Sequence, residues 1–149
     1  MKSVKILVLC ILSLIICGCS SIKQPISGND FFDIARDNNY KPLDITSNYD
    51  YSKSAYLINE GTFKVLFVDG KKQYDIESVF IDECKNVLGG IENEELNEKI
   101  KSGENWTSLE ITKEDTFYYI IWIDNTYVYS SVHKDSKDVL KKFITELGY

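Results

Sequence analysis

The sequence predicts an α+β domain of two layers, with a mainly antiparallel sheet of about five strands and about three helices on one face. Three observations lead to this fold class. Apolar residues recur at helical spacing in three segments, five other segments are rich in β-branched and aromatic residues, and most links between those five are short. With 149 residues, the chain has room for one domain of ordinary size.

The first half of this domain predicts a helix, a hairpin and a second helix. Asn29 and Asp30 are residues of the N-cap type, and the apolar stripe after them predicts a short helix that ends near residues 38–39. Residues 40–51 are rich in Asp, Asn and Ser, which predicts a loop. Two strands follow at 54–58 and 62–68 with a hairpin loop at 59–61, and a helix spans 75–88.

The second half predicts three strands and a final helix. Residues 92–103 are highly charged, which predicts either a loose helical turn or a mobile loop. Strands are predicted at 106–112, 117–123 and 126–132, and Asp124-Asn125 suits a two-residue turn between the last two. Asp135 or Ser136 then caps a helix, and the buried stripe of that helix consists of Val139, Leu140, Phe143, Ile144 and Leu147.

The charge balance argues against nucleic acid as a partner. The chain carries 17 basic and 23 acidic side chains, a formal charge of −6. A protein that holds phosphates along a nucleic acid usually presents a basic surface.

The N-terminus has the pattern of a bacterial export signal. Lys2 and Lys5 form a short positive region, residues 6–16 are an apolar run of 11 residues, and small residues follow from Gly18 to Ser21. The run is too short to span a bilayer by itself. An ordinary secreted protein cleaved near Ser20, or a true membrane helix, are the alternative interpretations.

Ile16-Cys17-Gly18-Cys19 resembles the lipobox of bacterial lipoproteins. The resemblance implies that residues 1–18 are a signal peptide, that the sulfur of Cys19 receives a diacylglycerol, and that cleavage leaves Cys19 first. Cys17 is the poorer acceptor, because Ile16 would then occupy the position before it, where a small residue is required. Removal of Lys2 and Lys5 leaves 15 basic and 23 acidic side chains, a charge of −8.

The lipobox also implies a location and a domain organisation. Residues 19–28 would be the lipidated cysteine and a flexible tether, and residues 29–149 the single folded domain. The protein would lie on the extracytoplasmic face of the cell membrane, in the cell envelope. The ending IDNTYVYSSV…KDSKDVLKKFITELGY, after an amphipathic α-β-β-α start, resembles a group of small bacterial lipoproteins of unassigned function, which implies the fold and the location but no active site.

Candidate catalytic residues are few. His133 follows a strand among polar residues without a recognisable nucleophile, which favours an exposed structural role. Cys84 lies on the apolar face of a helix, which favours core packing over an intermolecular disulfide. The acids Glu92, Glu94, Glu95 and Glu98 do not form a calcium-loop pattern. We therefore predict no catalytic site, no metal and no cofactor.

Aromatic density is the one feature that favours binding, although cross-strand aromatic pairs are also an ordinary way to hold a sheet together. Tyr118, Trp122, Tyr127 and Tyr129 crowd one predicted hairpin and form the candidate interaction surface. The strand 118–122 is apolar on both sides, so the second face of the sheet is either partly covered or meets a partner. We predict a non-enzymatic module that binds a protein, peptide or envelope component, with a homodimer as one possible assembly. A small solute-binding protein or a carboxylate-based enzyme is the alternative.

Overall fold

Three α-helices and a seven-stranded sheet make up residues 21–89 and 99–149, the part of the chain that the computed structural model describes. In chain order the elements are α1 (Gly28–Asp37), β1 (Leu43–Asp44), β2 (Ser52–Glu60), β3 (Phe63–Gly70), α2 (Gln73–Leu88), β4 (Lys99–Ser102), β5 (Trp106–Lys113), β6 (Thr116–Ile123), β7 (Thr126–His133) and α3 (Lys137–Glu146). Short 3₁₀ turns occupy Thr46–Asn48 and Lys134–Ser136. The α+β class is confirmed.

All neighbouring strands run antiparallel, in the order β1-β2-β3-β7-β6-β5-β4. The prediction of about five strands was too low, because it missed the two edge strands. β1 holds two exposed residues within the predicted loop, and β4 falls in the charged segment predicted as a helical turn or loop. An edge strand is defined by backbone hydrogen bonds to a single neighbouring strand. Its side chains need not be buried, so its sequence carries no strong apolar pattern.

Both faces of the sheet are covered, so the two-layer prediction with helices on one face is wrong. The first face packs against α1 and α3, and the second face packs against α2. Strand β6 shows why: Phe117, Ile121 and Ile123 point into the first core, whereas Ile120 and Trp122 point into the second. The apolar residues on both sides of strand 118–122 led to the expectation that the second face is either partly covered or meets a partner. In the structure this face is covered by α2.

The N-cap of helix α1 lies two residues before the predicted pair Asn29-Asp30. Ser27 is the N-cap, and its hydroxyl and the carboxylate of Asp30 form a reciprocal capping box. Phe31 and Ala35 are fully buried against the sheet. Asn39 ends the turn with a left-handed backbone, φ 65°, close to the predicted end.

One of the two predicted hairpin turns differs in the structure. Strand β2 continues to Glu60, so the hairpin turn is Gly61-Thr62 rather than 59–61, and Gly61 adopts φ 61°. The predicted turn Asp124-Asn125 is confirmed. In α3 the predicted stripe is buried except for Val139, which is exposed. Among the described residues, no helix is long and apolar enough to cross a membrane.

Candidate functional site

The predicted lipidation site, Cys19, lies outside the described residues, which begin at Ser21. From there to Ser27 the chain has no helix or strand, yet several hydrogen bonds hold it to the domain. The indole nitrogen of Trp106 donates to the carbonyl of Ser21 (2.9 Å), and Asn105 bonds both the N–H and the carbonyl of Lys23 (3.0 and 2.7 Å). A flexible tether was predicted over this stretch, whereas residues 21–27 are attached to the domain in the structure.

The four aromatic residues of the candidate interaction surface share one face of the sheet, but that face lies under α2. Tyr127 is 0% exposed and Trp122 8% exposed. Neither residue lies on an open surface, as a role in the candidate interaction surface would require. The apolar stripe of α2, with Phe80 and Cys84 at its centre, packs on them. The sequence pattern shows that these rings share a face and leaves open what covers it.

Tyr118 and Tyr129 are half-buried at the edge of the same core. Their ring centroids are 6.2 Å apart, and both line a groove of about 290 Å³ at the end of α2, which we call the tyrosine groove. Its other lining residues are Glu83, Asn86, Val87, Lys113, Glu114 and Thr116. The lining combines two acids with one lysine, so it does not concentrate positive charge.

Of the remaining chemical candidates, Cys84 and His133 lie within the described residues, whereas Glu92, Glu94, Glu95 and Glu98 lie outside them. Cys84 is buried, and burial raises the pKa of its thiol to about 12, as expected for a core residue rather than a nucleophile. His133 lies partly exposed beside Asp135, whose backbone N–H approaches its Nδ1 at 3.4 Å. Within residues 21–89 and 99–149, no group of three His, Cys, Asp or Glu side chains is arranged to hold a metal ion.

A second groove of about 290 Å³ lies on the first face of the sheet, at the β4 edge. Strand β5 supplies its floor through Trp106, Ser108 and Glu110, and α3 supplies one wall. We call it the basic groove. Its full lining consists of Lys23, Lys101, Trp106, Ser108, Glu110, Tyr119, Lys141, Ile144, Thr145 and Tyr149.

Three lysines and one carboxylate set the charge of the basic groove. Nζ of Lys141 lies 2.8 Å from the carboxylate of Glu110, whose side chain is only 14% exposed. Nζ of Lys23 lies 5.0 Å from the centroid of the Trp106 ring, a cation–π contact. The lining therefore has a formal charge of +2, opposite in sign to the whole chain.

Two tyrosines at the floor of the basic groove are held in their neutral form. Burial, and then the nearby charge of Glu110, raise the pKa of Tyr119 to about 12, while a hydrogen bond with Ser108 acts in the opposite direction. Burial also raises the pKa of Tyr149, whose hydroxyl accepts a hydrogen bond from the N–H of Ile26 (3.2 Å). At neutral pH both phenols are uncharged, so the charged donors of the groove are the ammonium groups of its lysines, which suit an anion.

The basic groove has no signature in the amino-acid sequence. Its lysines come from positions 23, 101 and 141, which no local motif connects, and the fold brings them together from the entering segment, an edge strand and the last helix. The one local signal was the alternation of Trp106, Ser108 and Glu110 along β5, which places all three on one face.

Comparisons with known proteins do not assign this site. No protein-family model matches the chain, and no curated protein matches it. Among solved structures, a GTP binding regulator from Thermotoga maritima is similar, with 11% sequence identity and a TM-score of 0.47, over 82% of this chain and 84% of the other.

Proposed function

We propose that this chain is a lipoprotein held on the extracytoplasmic face of the cell membrane through Cys19, and that its domain is a non-enzymatic binding module. The lipobox-like Ile16-Cys17-Gly18-Cys19, directly after the 11-residue apolar run, carries the proposal. Two acyl chains on one residue hold a protein to a bilayer stably, whereas one chain does so only marginally.

Substituting the acceptor sulfur tests the anchor. In cells fed labelled palmitate, the wild-type chain should incorporate the label and enter the detergent phase, and Cys19→Ser should lose both properties. Cys17→Ser is the matched control, two residues away in the same segment, and should retain both. A Cys19→Ser protein that still incorporates palmitate would contradict the proposal.

The binding surface that we propose is the basic groove rather than the aromatic hairpin. Its +2 lining within a mature chain of charge −8 favours an anionic ligand, and Trp106 and Tyr119 offer ring surface beside the amines. A volume of about 290 Å³ is at the lower limit of small-molecule sites, so the groove suits a small anion or the anionic end of a larger envelope component. This observation also favours the second candidate, a solute-binding lipoprotein, which would use the same groove.

Thermal unfolding with added anions tests the groove. Pyrophosphate or citrate, compared with chloride at equal ionic strength, should stabilise the purified lipoprotein, by about 2.7 kcal/mol at one hundred times the dissociation constant. Lys23→Gln combined with Lys101→Gln should remove most of this stabilisation. The matched control, Lys64→Gln with Lys142→Gln, removes the same charge from exposed positions and should keep it. Equal shifts in both double variants would refute a specific site.

A further inference from the structure

The place where the chain joins the domain restricts how the domain can sit on a membrane. Ser21 and Lys23 are bonded to Trp106 and Asn105, at the end of the sheet where β5 begins. Consecutive Cα atoms are about 3.8 Å apart, so the Cα of Cys19 lies within about 8 Å of that of Ser21. If Cys19 carries the lipid, this end of the sheet is held close to the bilayer surface.

A continuous row of hydrogen-bonded turns forms this end. The side-chain amide of Asn105 donates to the carboxylate of Asp124 (2.8 Å), and the backbone carbonyl of Asn105 accepts from the backbone N–H of Asp124 (3.0 Å). The next residue, Asn125, donates to Asp69 (2.6 Å) and accepts from the N–H of Gly70 (2.7 Å). These contacts connect the entering segment to the turn that begins α2. We call residues 21–23, 71–74, 103–105 and 124–125 the anchor rim.

The anchor rim carries exposed apolar side chains. Four large apolar side chains are exposed in the part of the chain that the structure describes, and two of them, Ile22 (61%) and Tyr74 (77%), lie on this rim. The other two, Leu43 and Val139, lie elsewhere, on β1 and α3. Aliphatic and tyrosine side chains are favoured at the boundary between headgroups and acyl chains.

Charge does not determine the orientation. The rim holds three lysines, Lys23, Lys71 and Lys72, and two acids, Glu104 and Asp124, so its formal charge is only +1. One net charge favours an anionic surface only weakly, so the orientation depends on the short connection to Cys19 and on the two apolar side chains.

We propose that the anchor rim is the membrane-facing surface of this protein, with Ile22 and Tyr74 in the headgroup layer of the bilayer. This inference rests on the proposed lipidation of Cys19. The opposite end of the sheet, with the turns Gly61-Thr62 and Glu114-Asp115, then faces away from the bilayer. Because Lys23 belongs to both the rim and the basic groove, the groove opens beside the membrane surface, where it meets anionic groups presented at that surface.

Fluorescent labels at the two ends of the sheet test the orientation. The processed lipoprotein is placed in phosphatidylcholine vesicles that carry doxyl quenchers near the headgroups, with a bimane label on Glu104→Cys or on Thr62→Cys, both exposed positions. Cys84 is buried and does not compete for the label. Lipid quenching should be strong at position 104 and absent at position 62. Equal quenching, or the reverse order, would overturn the inference.

A pair of double variants tests the contribution of the apolar side chains. Ile22→Ser with Tyr74→Ser should reduce the quenching of the label at position 104, whereas Leu43→Ser with Val139→Ser, the matched control, should not. Loss of quenching in both pairs, or in neither, would contradict the role of the rim side chains. Flotation separates the two levels of the proposal: a chain that does not float with vesicles refutes the lipid anchor and this inference together, and a chain that floats with equal quenching refutes the orientation alone.

Discussion

Replacing Phe31 with alanine should lower the free energy of unfolding by about 3–5 kcal/mol, the loss typical of a large aromatic side chain removed from a packed core. Phe31 is fully buried between α1 and the sheet. Its ring stacks on Phe67 with centroids 4.6 Å apart and meets the ring of Phe143 edge to face at 6.2 Å. One side chain thus joins α1, the interior strand β3 and α3.

The loss is large for a second reason. Helix α1 has ten residues, too few for stability in isolation, and its buried residues are Gly28, Phe31 and Ala35. Without the Phe31 ring the helix has little apolar surface with which to stay on the sheet. Domains of this size are usually stable by about 5–15 kcal/mol, so the variant should be partly unfolded at moderate temperature.

Phe32→Ala is the matched control on the same helix. The ring of Phe32 is only partly buried and contacts Tyr56 at a centroid distance of 5.5 Å and the guanidinium of Arg36. Its removal should cost about 1 kcal/mol, the typical effect of a single substitution. Urea unfolding followed by circular dichroism measures both variants. Similar losses at the two positions would show that α1 does not depend on the Phe31 stack.

Elements with a strong apolar period could be predicted from sequence. Helix α2 was predicted at 75–88 and spans Gln73–Leu88, because its buried side chains recur at helical spacing. The hairpin β6–β7 was predicted within one residue at each end, because β-branched and aromatic residues flank Asp124-Asn125. The cap of α1 was missed although Ser27 and Asp30 have the spacing of a capping box.

Features that depend on tertiary packing could not be predicted. The side of the sheet that each helix covers does not follow from a helix's own stripe, since α1 and α2 have the same kind of apolar pattern. Trp122 and Tyr127 have the composition of a binding surface, and the neighbouring helix makes them core. The basic groove was unpredictable for a related reason, because Lys23, Lys101 and Lys141 meet only in the folded chain.

Raising the pH should unfold this domain cooperatively between about pH 10 and pH 12, because buried thiol and phenol groups ionise only when they reach water. Burial raises the pKa of Cys84 and of Tyr119 to about 12, and it also raises the pKa of Tyr127. In the unfolded chain these groups ionise near pH 9 and pH 10. Their neutral forms are therefore stabilised by folding, and that stability is intact below pH 9.

The loss then grows with pH until the folded-state pKa is reached. One pKa unit corresponds to about 1.4 kcal/mol, so Cys84 would contribute about 4 kcal/mol and Tyr119 about 3 kcal/mol of destabilisation near pH 12. Their sum is comparable to the whole stability of a small domain. Circular dichroism against pH, with tyrosinate absorbance recorded on the same samples, should show both signals changing together. Gradual ionisation of all tyrosines with the helix signal intact would contradict this account.

Tyr127→Phe separates burial of the ring from ionisation of the hydroxyl. The ring is fully buried, and its hydroxyl has no hydrogen-bond partner among the described residues. A buried hydroxyl without a partner costs about 1–3 kcal/mol, so its removal should not destabilise the domain at pH 7. It should also raise the pH midpoint of alkaline unfolding, because one buried group whose ionisation favours the unfolded chain is gone. Tyr74→Phe, at an exposed ring, is the control and should leave the midpoint unchanged. If Tyr127→Phe destabilised the domain at pH 7 and left the alkaline midpoint in place, the hydroxyl would have a partner in the folded chain, and the alkaline transition would have to start at Cys84 and Tyr119.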